Sequence, residues 1–470
     1  MEQLLHYVWK HKLFPLQPLT TTCGLPVEVI DAGLSNPNAG PDFFNAKIKM
    51  NGVLWVGNVE IHLRASDWFR HHHDQDQAYD TVILHVASDI DVQVYRSNGE
   101  AIPQLELHFP PYLLANYTEL IQAIRYPACY RLIPRLPKLL LHSWMDSLRV
   151  ERFEQKTAQI RERLKRCNAD WEHAFFLTLA RNFGFATNSD VFELWAQSIP
   201  LGAVNKHRDD LFQIEAIFFG LSGLLEENQP QDSLNSSQAE ILKTDVQEAD
   251  ILQADVQEAD VLQSDVLQTD VLEEPSVLMP YPERLWKEYL YLKHKFEFKP
   301  SEHLHWKLLR LRPANFPHIR IAQLAKLYYL RQGLLSQLME AESIEVVRKL
   351  LRVDTSPFWR THYTFHDEAP FLTKTLSDAS IDLLIINTVV PFLYAFGKHK
   401  EKEALINRAN QFLEEIKPEN NFITRMWGEC GLTAEHAGDS QALIQLKKNY
   451  CDAKKCLFCR IGYEYFKKKD

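Results

Sequence analysis

The chain of 470 residues is long enough for two or three domains, and its composition, 46% hydrophobic and 24% charged, is that of a folded protein with a real core. Residues 241–274 carry six Asp and four Glu against one Lys, a net charge of −9, so the rest of the chain holds about −1 of the total of −10. Overall acidity therefore says nothing about partners.

The location of the protein is predicted from three features. The N-terminal sequence MEQLLHYVWKHKLFP has charges scattered through it and no apolar segment of a secretory signal. The longest apolar stretch, residues 381–397, includes Asp382, Asn387 and Pro391 and falls short of a membrane span, so we expect a buried helix. Seven cysteines are too few for a secreted disulfide framework. We predict a cytoplasmic protein with reduced thiols and no membrane partner.

The first 110 residues have the pattern of a β-rich domain. A helix is predicted over residues 2–12, and strands over 26–31, 44–50, 53–63, 81–88, 92–97 and 102–108. Asn51-Gly52 predicts a two-residue hairpin turn, because both central residues of such a turn need positive φ. The expected structure is a mixed, mostly antiparallel sheet preceded by a helix.

The rest of the chain has apolar residues at helical spacing. The predicted segments are a β-rich domain (1–110), a helical domain (111–228), a linker (229–278) and a helical C-terminal domain (279–470). The linker contains six five-residue repeats at 241–270, which resemble pentapeptide β-helices but are too few for stacked turns. We predict an acidic, mostly disordered linker in an α+β protein whose β-rich N-terminal domain precedes a large all-α region.

The predicted hairpin carries three candidate catalytic side chains. Asp42 and Glu60 offer the oxygen ligands that Mg²⁺ or Mn²⁺ prefers, and His62 could act on water or on a scissile phosphate. Glu60 and His62 are two residues apart on one strand and therefore project from the same face. In the alternative interpretation, Asp42 caps a turn and the other two form a surface pair.

The register of the hairpin decides whether the two carboxylates meet. With Asn51 and Gly52 as the loop, Asp42 would lie opposite Ile61, and Asp42 and Glu60 would then point to opposite faces. One extra residue in either strand restores a common face. A β-bulge is therefore required by the metal-site hypothesis, with Gly57-Asn58 or Gly40-Pro41 as the predicted places.

A histidine-rich segment follows the hairpin. His71 and His73 form a His-x-His pair that could chelate a transition metal, and His85 lies on the next predicted strand. Alternatively, these imidazoles line the same cleft and contact substrate phosphates. A third interpretation is a polar loop with His85 as a hydrogen-bonded core residue.

The C-terminal residues contain a cysteine motif. Cys451, Cys456 and Cys459 have C-x₄-C-x₂-C spacing, so three thiolates could reach one centre. Cys430 is the candidate fourth ligand of a zinc site or an iron–sulfur cluster, and the spacing does not separate these cofactors. The alternative is that the cysteines are small buried apolar residues.

Two basic regions could contact nucleic acid. Seven Lys and Arg side chains fall between residues 149 and 166, but interspersed Glu residues also fit a solvated helix face. Arg312 and Arg320 flank a rigid turn, Arg-Pro-Ala-Asn-Phe-Pro, and could bind substrate or join two domains. Nucleic acid is a possible partner, and protein partners are not identified.

Two family resemblances extend these interpretations. Pro41-Asp42 followed by Glu60-Ile61-His62 resembles the PD-(D/E)XK nuclease superfamily, with His62 where that superfamily has lysine. The resemblance implies a restriction-endonuclease-like fold and Mg²⁺- or Mn²⁺-dependent phosphodiester cleavage, and nucleases of this kind sometimes carry an iron–sulfur staple. Over nearly the whole chain, the phrases GPDF, GNVEIH, DWFRHHH, RPANFP and the terminal cysteines resemble a bacterial family known only as a domain of unknown function.

Three hypotheses follow. The first is a metal-dependent nuclease or nuclease-like nucleic-acid-binding protein. The second is a non-catalytic scaffold with a cysteine-ligated structural metal, which carboxylates on opposite faces of the hairpin would favour. The third is a hydrolase that acts on a small molecule through a histidine-bound metal, which would need a histidine cage separate from Glu60.

Overall fold

The computed structural model describes residues 1–14, 17–36, 38–124, 126–225, 279–301 and 304–467. The pentapeptide repeat at 241–270 lies outside these residues. Within them, the fold is α+β as predicted, with a mixed seven-stranded sheet followed by a large helical region.

The chain forms two compact units. The first comprises residues 1–149 together with 420–434 and 439–470. The second comprises residues 150–419 and 435–438. The C-terminal residues thus belong with the N-terminal sheet, whereas the predicted segments placed them in a separate helical domain.

The sheet of the first unit has the strand order β1-β2-β4-β5-β6-β7, with β3 paired to β4. The strands are β1 (Leu19–Thr20), β2 (Pro26–Asp31), β3 (Leu34–Ser35), β4 (Phe43–Met50), β5 (Val53–Arg64), β6 (Val82–Asp89) and β7 (Gln104–Glu106). Pairs from β1 to β5 are antiparallel, whereas β5, β6 and β7 run parallel.

The strand predicted over 92–97 is wrong. This segment makes only an isolated bridge, between Tyr95 and Ala101. Side-chain amides take the place of a ladder here, because Gln104 bonds the carbonyl of Val92 and the N–H of Val94. The apolar alternation of the segment reflects the burial of Val94 beneath this loop.

The hairpin between β4 and β5 begins as the sequence predicts. Asn51 and Gly52 form the turn with φ of 47° and 82°, and the flanking Met50 and Val53 pair directly. Left-handed backbone at both central residues matches the right-handed twist of the strands. The ladder then continues regularly as far as the pair Ala46–Gly57.

Beyond that pair the register shifts by one residue. Phe43 pairs with Val59, where an unbroken ladder would place it opposite Glu60. The extra residue lies in β4 at Phe44 and Asn45, and Asn45 has a left-handed φ of 55°. The β-bulge required by the metal-site hypothesis is therefore confirmed, although neither predicted place is the one used.

The helices of the described chain, in order, are α1 (Glu2–Lys10), α2 (Asp67–Arg70), α3 (Pro111–Gln122), α4 (Lys138–Arg166), α5 (Trp171–Phe183), α6 (Ser189–Gln197), α7 (Leu201–Lys206), α8 (Leu211–Gly220), α9 (Tyr281–Phe296), α10 (Pro317–Leu330), α11 (Leu334–Glu340), α12 (Ile344–Leu351), α13 (Asp378–Leu384), α14 (Val390–His399), α15 (Glu403–Glu415), α16 (Phe422–Glu429), α17 (Ala437–Gln445) and α18 (Arg460–Phe466). Short 3₁₀ and π turns connect several of them.

Helix α1 packs on the sheet in the first unit. Its apolar face, with Leu5 and Trp9 fully buried, belongs to one core with sheet residues and with α3 and α18. Trp9 Nε1 also donates a hydrogen bond to the carbonyl of Ala32 at 3.0 Å. Because i and i+4 residues of a helix share a face, this packing fixes which polar residues of α1 face the sheet edge.

The second unit is helical and has its own core. The apolar stretch predicted as a buried helix lies in the continuous helical segment Asp378–His399. This segment has the length and apolar composition to cross a membrane, and 67% of its most apolar window is buried inside the protein. Such burial is what a core helix shows, with Ile381, Val389 and Leu393 inaccessible to solvent.

Candidate metal centre on the N-terminal sheet

Asp42 and Glu60 face each other because of the register shift. The backbone N–H of Asp42 donates to Oε2 of Glu60 at 3.0 Å, and the N–H of Ile61 donates to Oδ2 of Asp42 at 2.9 Å. Each carboxylate therefore accepts a hydrogen bond from the opposite strand, which holds both at one end of the hairpin. On the other side, His6 of α1 approaches Asp42, with Nε2 3.4 Å from Oδ2.

Three imidazoles converge on the same place. His62 Nε2 and His73 Nε2 lie 3.6 and 3.4 Å from Oε1 of Glu60, and His71 Nδ1 lies 3.2 Å from His62 Nε2. Nitrogen atoms of these three histidines all lie within 4.8 Å of one another. Glu60, His62 and His73 are buried, whereas His71 is exposed, so the cluster opens to solvent on the His71 side.

The loop after β5 brings His71 and His73 back to the sheet. It is anchored by Trp68, which is fully buried and donates from Nε1 to the carbonyl of Tyr95. Between the two histidines, His72 takes a left-handed conformation with φ of 61°. The ring of His73 then stacks on Tyr79 with centroids 3.8 Å apart.

His85 supports the cluster from behind. It lies on β6, is inaccessible to solvent, and its Nε2 is 2.9 Å from Nδ1 of His62. This contact leaves Nε2 of His62 directed toward Glu60 and His71. A neutral histidine whose second nitrogen is held in this way is the usual form of a metal ligand.

The spacing of the four innermost atoms fits a single ion. A tetrahedral centre with bonds of about 2.0–2.1 Å has ligand atoms roughly 3.3 Å apart. Three of the six distances among Glu60 Oε1, His62 Nε2, His71 Nδ1 and His73 Nε2 are 3.2, 3.4 and 3.6 Å, and nitrogen atoms of the three histidines lie within 4.8 Å of one another. The residues present therefore fit a divalent metal.

The electrostatics of the cluster favour a bound cation. Burial, followed by the neighbouring Asp42 carboxylate, raises the pKa of Glu60 to about 9. Burial and the surrounding imidazoles lower the pKa of His62 to about 2, and burial lowers the pKa of His85 to about 3. A divalent cation would favour the ionised carboxylates and the neutral imidazoles at the same time.

Three predicted substrate-binding residues, His73, His85 and Arg320, are buried. His85 is inaccessible to solvent behind His62, so it can act only through that residue. Arg320 is 5% exposed, bonds the side chains of Asn315 and Gln323, and lies over the ring of Phe185. Its burial argues against substrate contact and makes it a structural residue of the second unit. Arg312, in the same unit, is exposed.

His6 is a site residue that the sequence analysis missed. It lies on α1, and its nearness to Asp42 comes from packing of that helix on the sheet. A sequence signal existed, since His6 falls between the buried residues Leu5 and Tyr7 of an amphipathic helix. Only the tertiary contact shows that the imidazole meets the carboxylate.

A cleft in the first unit is lined in part by His6, the imidazole beside Asp42. Its volume is about 350 Å³, and His6, Tyr7, Lys10, Phe43, Arg460 and Tyr463 are among the residues that line it. The charged side chains of its lining are basic. Phe458, also at the cleft, is 59% exposed and offers an aromatic face to solvent.

The cysteines of the C-terminal motif also come together. Cys451, Cys456 and Cys459 line one cavity in the first unit. Cys430, the predicted fourth ligand, ends α16 and packs in an apolar cluster with Trp427. It is not among the residues that line the cavity, whereas Cys129 is. Sequence spacing could not connect Cys129 to a motif more than three hundred residues later in the chain.

The fold and site define an α+β protein with a carboxylate and histidine cluster on a mixed sheet. Residues 2–247 and 248–422 match a family described as "Protein of unknown function (DUF2851)". The chain belongs to this family, as the resemblance over nearly its whole length predicted. No curated protein and no solved structure is significantly similar to it.

Proposed function

We propose that the protein is a metal-dependent nuclease whose active site is the carboxylate and histidine cluster of the N-terminal sheet. The observation that carries the proposal is the opposition of Asp42 and Glu60, produced by the β-bulge at Asn45. A bulge next to such a pair is typical of functional sites. Without it, the carboxylates would point away from each other.

The donor set indicates which metal to test. Carboxylate oxygens suit Mg²⁺ and Mn²⁺, and imidazole nitrogens suit Mn²⁺, Zn²⁺ and iron better than Mg²⁺. Asp42, Glu60, His62, His71 and His73 together therefore favour Mn²⁺ within the predicted pair of Mg²⁺ and Mn²⁺. Such an ion, when bound, polarises a phosphoryl oxygen and lowers the pKa of water.

The protein residues have separate roles in this proposal. Glu60 and Asp42 supply negative charge, and their contacts across the strands keep that charge in place. His85 fixes the orientation of His62. His6 lies both at Asp42 and in the cleft, so it is the imidazole best placed to exchange a proton with a reacting phosphate oxygen.

The cleft supports a nucleic-acid substrate. Lys10 offers a cationic group for phosphates, and Arg460 adds a second positive charge while its guanidinium bonds the hydroxyls of Ser143 and Ser147. Phe458 and Tyr463 offer faces on which bases can stack. The histidines are not a cage separate from Glu60, since two of them contact its carboxylate. These contacts favour a nuclease over a hydrolase whose metal is held by histidine alone.

Mn²⁺ titration calorimetry tests the site without a chosen substrate. Asp42→Asn and Glu60→Gln should each weaken binding at least tenfold, because each removes an anionic ligand from a buried site. The matched control is Glu28→Gln, an exposed carboxylate on the same sheet. Equal affinity in all four proteins would overturn the metal site.

Cleavage of labelled oligonucleotides tests the reaction. The wild-type protein with Mn²⁺ should cut single-stranded or double-stranded DNA or RNA, and both site variants should not, while Glu28→Gln cuts normally. Binding of Mn²⁺ without cleavage of any of these substrates would reject the nuclease and retain the metal centre.

A further inference from the structure

The cavity near the C terminus joins two distant parts of the chain. Cys129 follows α3 by a few residues, whereas Cys451, Cys456 and Cys459 precede α18. All four thiols line this cavity, which has a volume of about 70 Å³. The chain has seven cysteines in 470 residues, and four of them border this one cavity.

The four cysteines also share their surroundings. Cys459 belongs to an apolar cluster against which Cys129 and Cys451 pack, and Cys456 lines the same cavity as these three. All four are unpaired as disulfides. A disulfide therefore does not explain why these four cysteines lie together.

The spacing of the thiols bears on the choice between zinc and a larger cluster. Four thiolates on one zinc ion have sulfur atoms about 3.8 Å apart, since each Zn–S bond is about 2.3 Å. Among the described residues, which include all these cysteines, the group of three ligand atoms found within 4.8 Å of one another is the histidine group. In the described chain, the cysteine sulfurs are not found as a group close enough for one ion.

The surroundings of the cavity fit a buried cofactor. Apolar side chains of Leu120, Ile121 and Pro127 contribute to its wall. Gly462 also borders it, and a Cβ on that residue would lie 2.1 Å from the carbonyl oxygen of Cys456. Glycine thus allows the start of α18 to pass close to the turn that presents Cys456 and Cys459.

We propose that Cys129, Cys451, Cys456 and Cys459 bind an iron–sulfur cluster that fastens the C-terminal segment to the chain after α3. Four thiolates and an apolar wall are the ligand set and the environment of a four-cysteine cluster. Cys459 also lines the cleft beside α1. The cluster would hold the wall that carries Arg460, Tyr463 and Phe458 against the N-terminal sheet.

Metal analysis of the full chain, purified without oxygen, is the direct test. We expect iron and acid-labile sulfide in near-equal amounts, a broad visible absorbance that dithionite bleaches, and an electron paramagnetic resonance signal after reduction. Zinc at one ion per chain without sulfide, or no metal after reconstitution with ferrous iron and sulfide, would overturn the cluster.

A pair of alanine variants tests which cysteine is the fourth ligand. Cys129→Ala should lose at least half of the iron, whereas Cys430→Ala, also buried but outside the cavity lining, should keep it. The opposite result would reject Cys129. If Cys129→Ala does not fold, chelation of wild-type iron followed by limited proteolysis replaces it: release of the C-terminal segment supports the fastening role, and unchanged resistance rejects it.

Discussion

The backbone N–H of Asp42 lies 3.0 Å from Oε2 of Glu60, across two strands whose register is shifted by the left-handed residue Asn45. This contact exists only because β4 contains one residue more than a regular ladder needs. A local feature of the backbone therefore decides whether two carboxylates form one site.

Asn45→Val should destabilise the protein and weaken Mn²⁺ binding. A β-branched residue in the left-handed region costs about 1–2 kcal/mol, and the strain is relieved if the bulge moves. Asn45→Gly is the matched control, because glycine accepts a positive φ without this cost. Urea unfolding and Mn²⁺ titration measure the two effects. Equal stability of the Val and Gly variants would show that the bulge does not depend on this residue.

His85→Leu should separate metal affinity from stability. The substitution removes the hydrogen bond that orients His62, and loss of such a supporting contact weakens metal binding about 10- to 100-fold. Stability should change little, because the substitution removes the buried Nδ1 of His85, which has no hydrogen-bond partner in the described chain, but also takes the partner of Nδ1 of His62 away. Calorimetry gives the affinity and thermal unfolding the stability.

His72→Asn is the control for that experiment. His72 lies between two cluster residues, has a left-handed backbone that asparagine tolerates, and is exposed. Its replacement should change neither quantity. If His85→Leu binds Mn²⁺ as tightly as His72→Asn does, His62 is not a ligand oriented by His85.

The metal-free protein should lose stability as the pH rises above 6.5. The pKa of Glu60 is raised from 4.5 to about 9 on folding, so between these values the folded state holds a proton that the unfolded state releases. Stability from this group is therefore present below pH 4.5 and is lost as the pH rises toward 9. The pKa of His62 is lowered to about 2, so this group makes the folded protein more stable as the pH rises, but only below pH 6.5.

Urea unfolding in EDTA at pH 6.5, 7.5 and 8.5 measures this slope. Glu60→Gln should flatten it, because glutamine does not titrate, and saturating Mn²⁺ should abolish it in the wild type by favouring the carboxylate. Glu28→Gln should retain the wild-type slope, since Glu28 is exposed. A wild-type slope that Glu60→Gln leaves unchanged would assign the pH dependence to another group.

The site was partly predictable because its main elements are local. Asn51-Gly52 fixed the turn, and the two-residue alternation placed Glu60 and His62 on one face. The need for a bulge followed from counting, but its place did not, since Asn45 carries no sequence signal stronger than that of Gly57. The conformation of a turn is determined by adjacent residues, whereas the position of a bulge depends on both strands and their neighbours.

Contacts between segments far apart in the chain could not be predicted from the sequence. Cys129 joins the C-terminal cysteines through packing of α3 and α18, which share one core. Arg320 resembled an exposed cation because it follows a proline-rich turn, yet its helix is buried and its charge is bonded internally. Such outcomes depend on which helix faces meet, and a single sequence does not contain that information.

The cleft beside α1 should bind single-stranded oligonucleotides through its cationic side chains. Lys10→Gln and Arg460→Gln should each weaken binding of a fluorescent oligonucleotide and reduce the slope of log affinity against log salt by roughly 0.7, the value for one lost phosphate contact on a single strand.

Lys49→Gln replaces an exposed lysine on β4 outside the cleft and is the control, which should change neither the affinity nor the salt slope. Mn²⁺ affinity should be the same in all three variants, because none of these side chains belongs to the metal cluster. Fluorescence anisotropy across a range of salt concentrations provides the measurement. If Lys49→Gln weakens oligonucleotide binding as much as Lys10→Gln and Arg460→Gln do, binding depends on overall charge and not on the cleft.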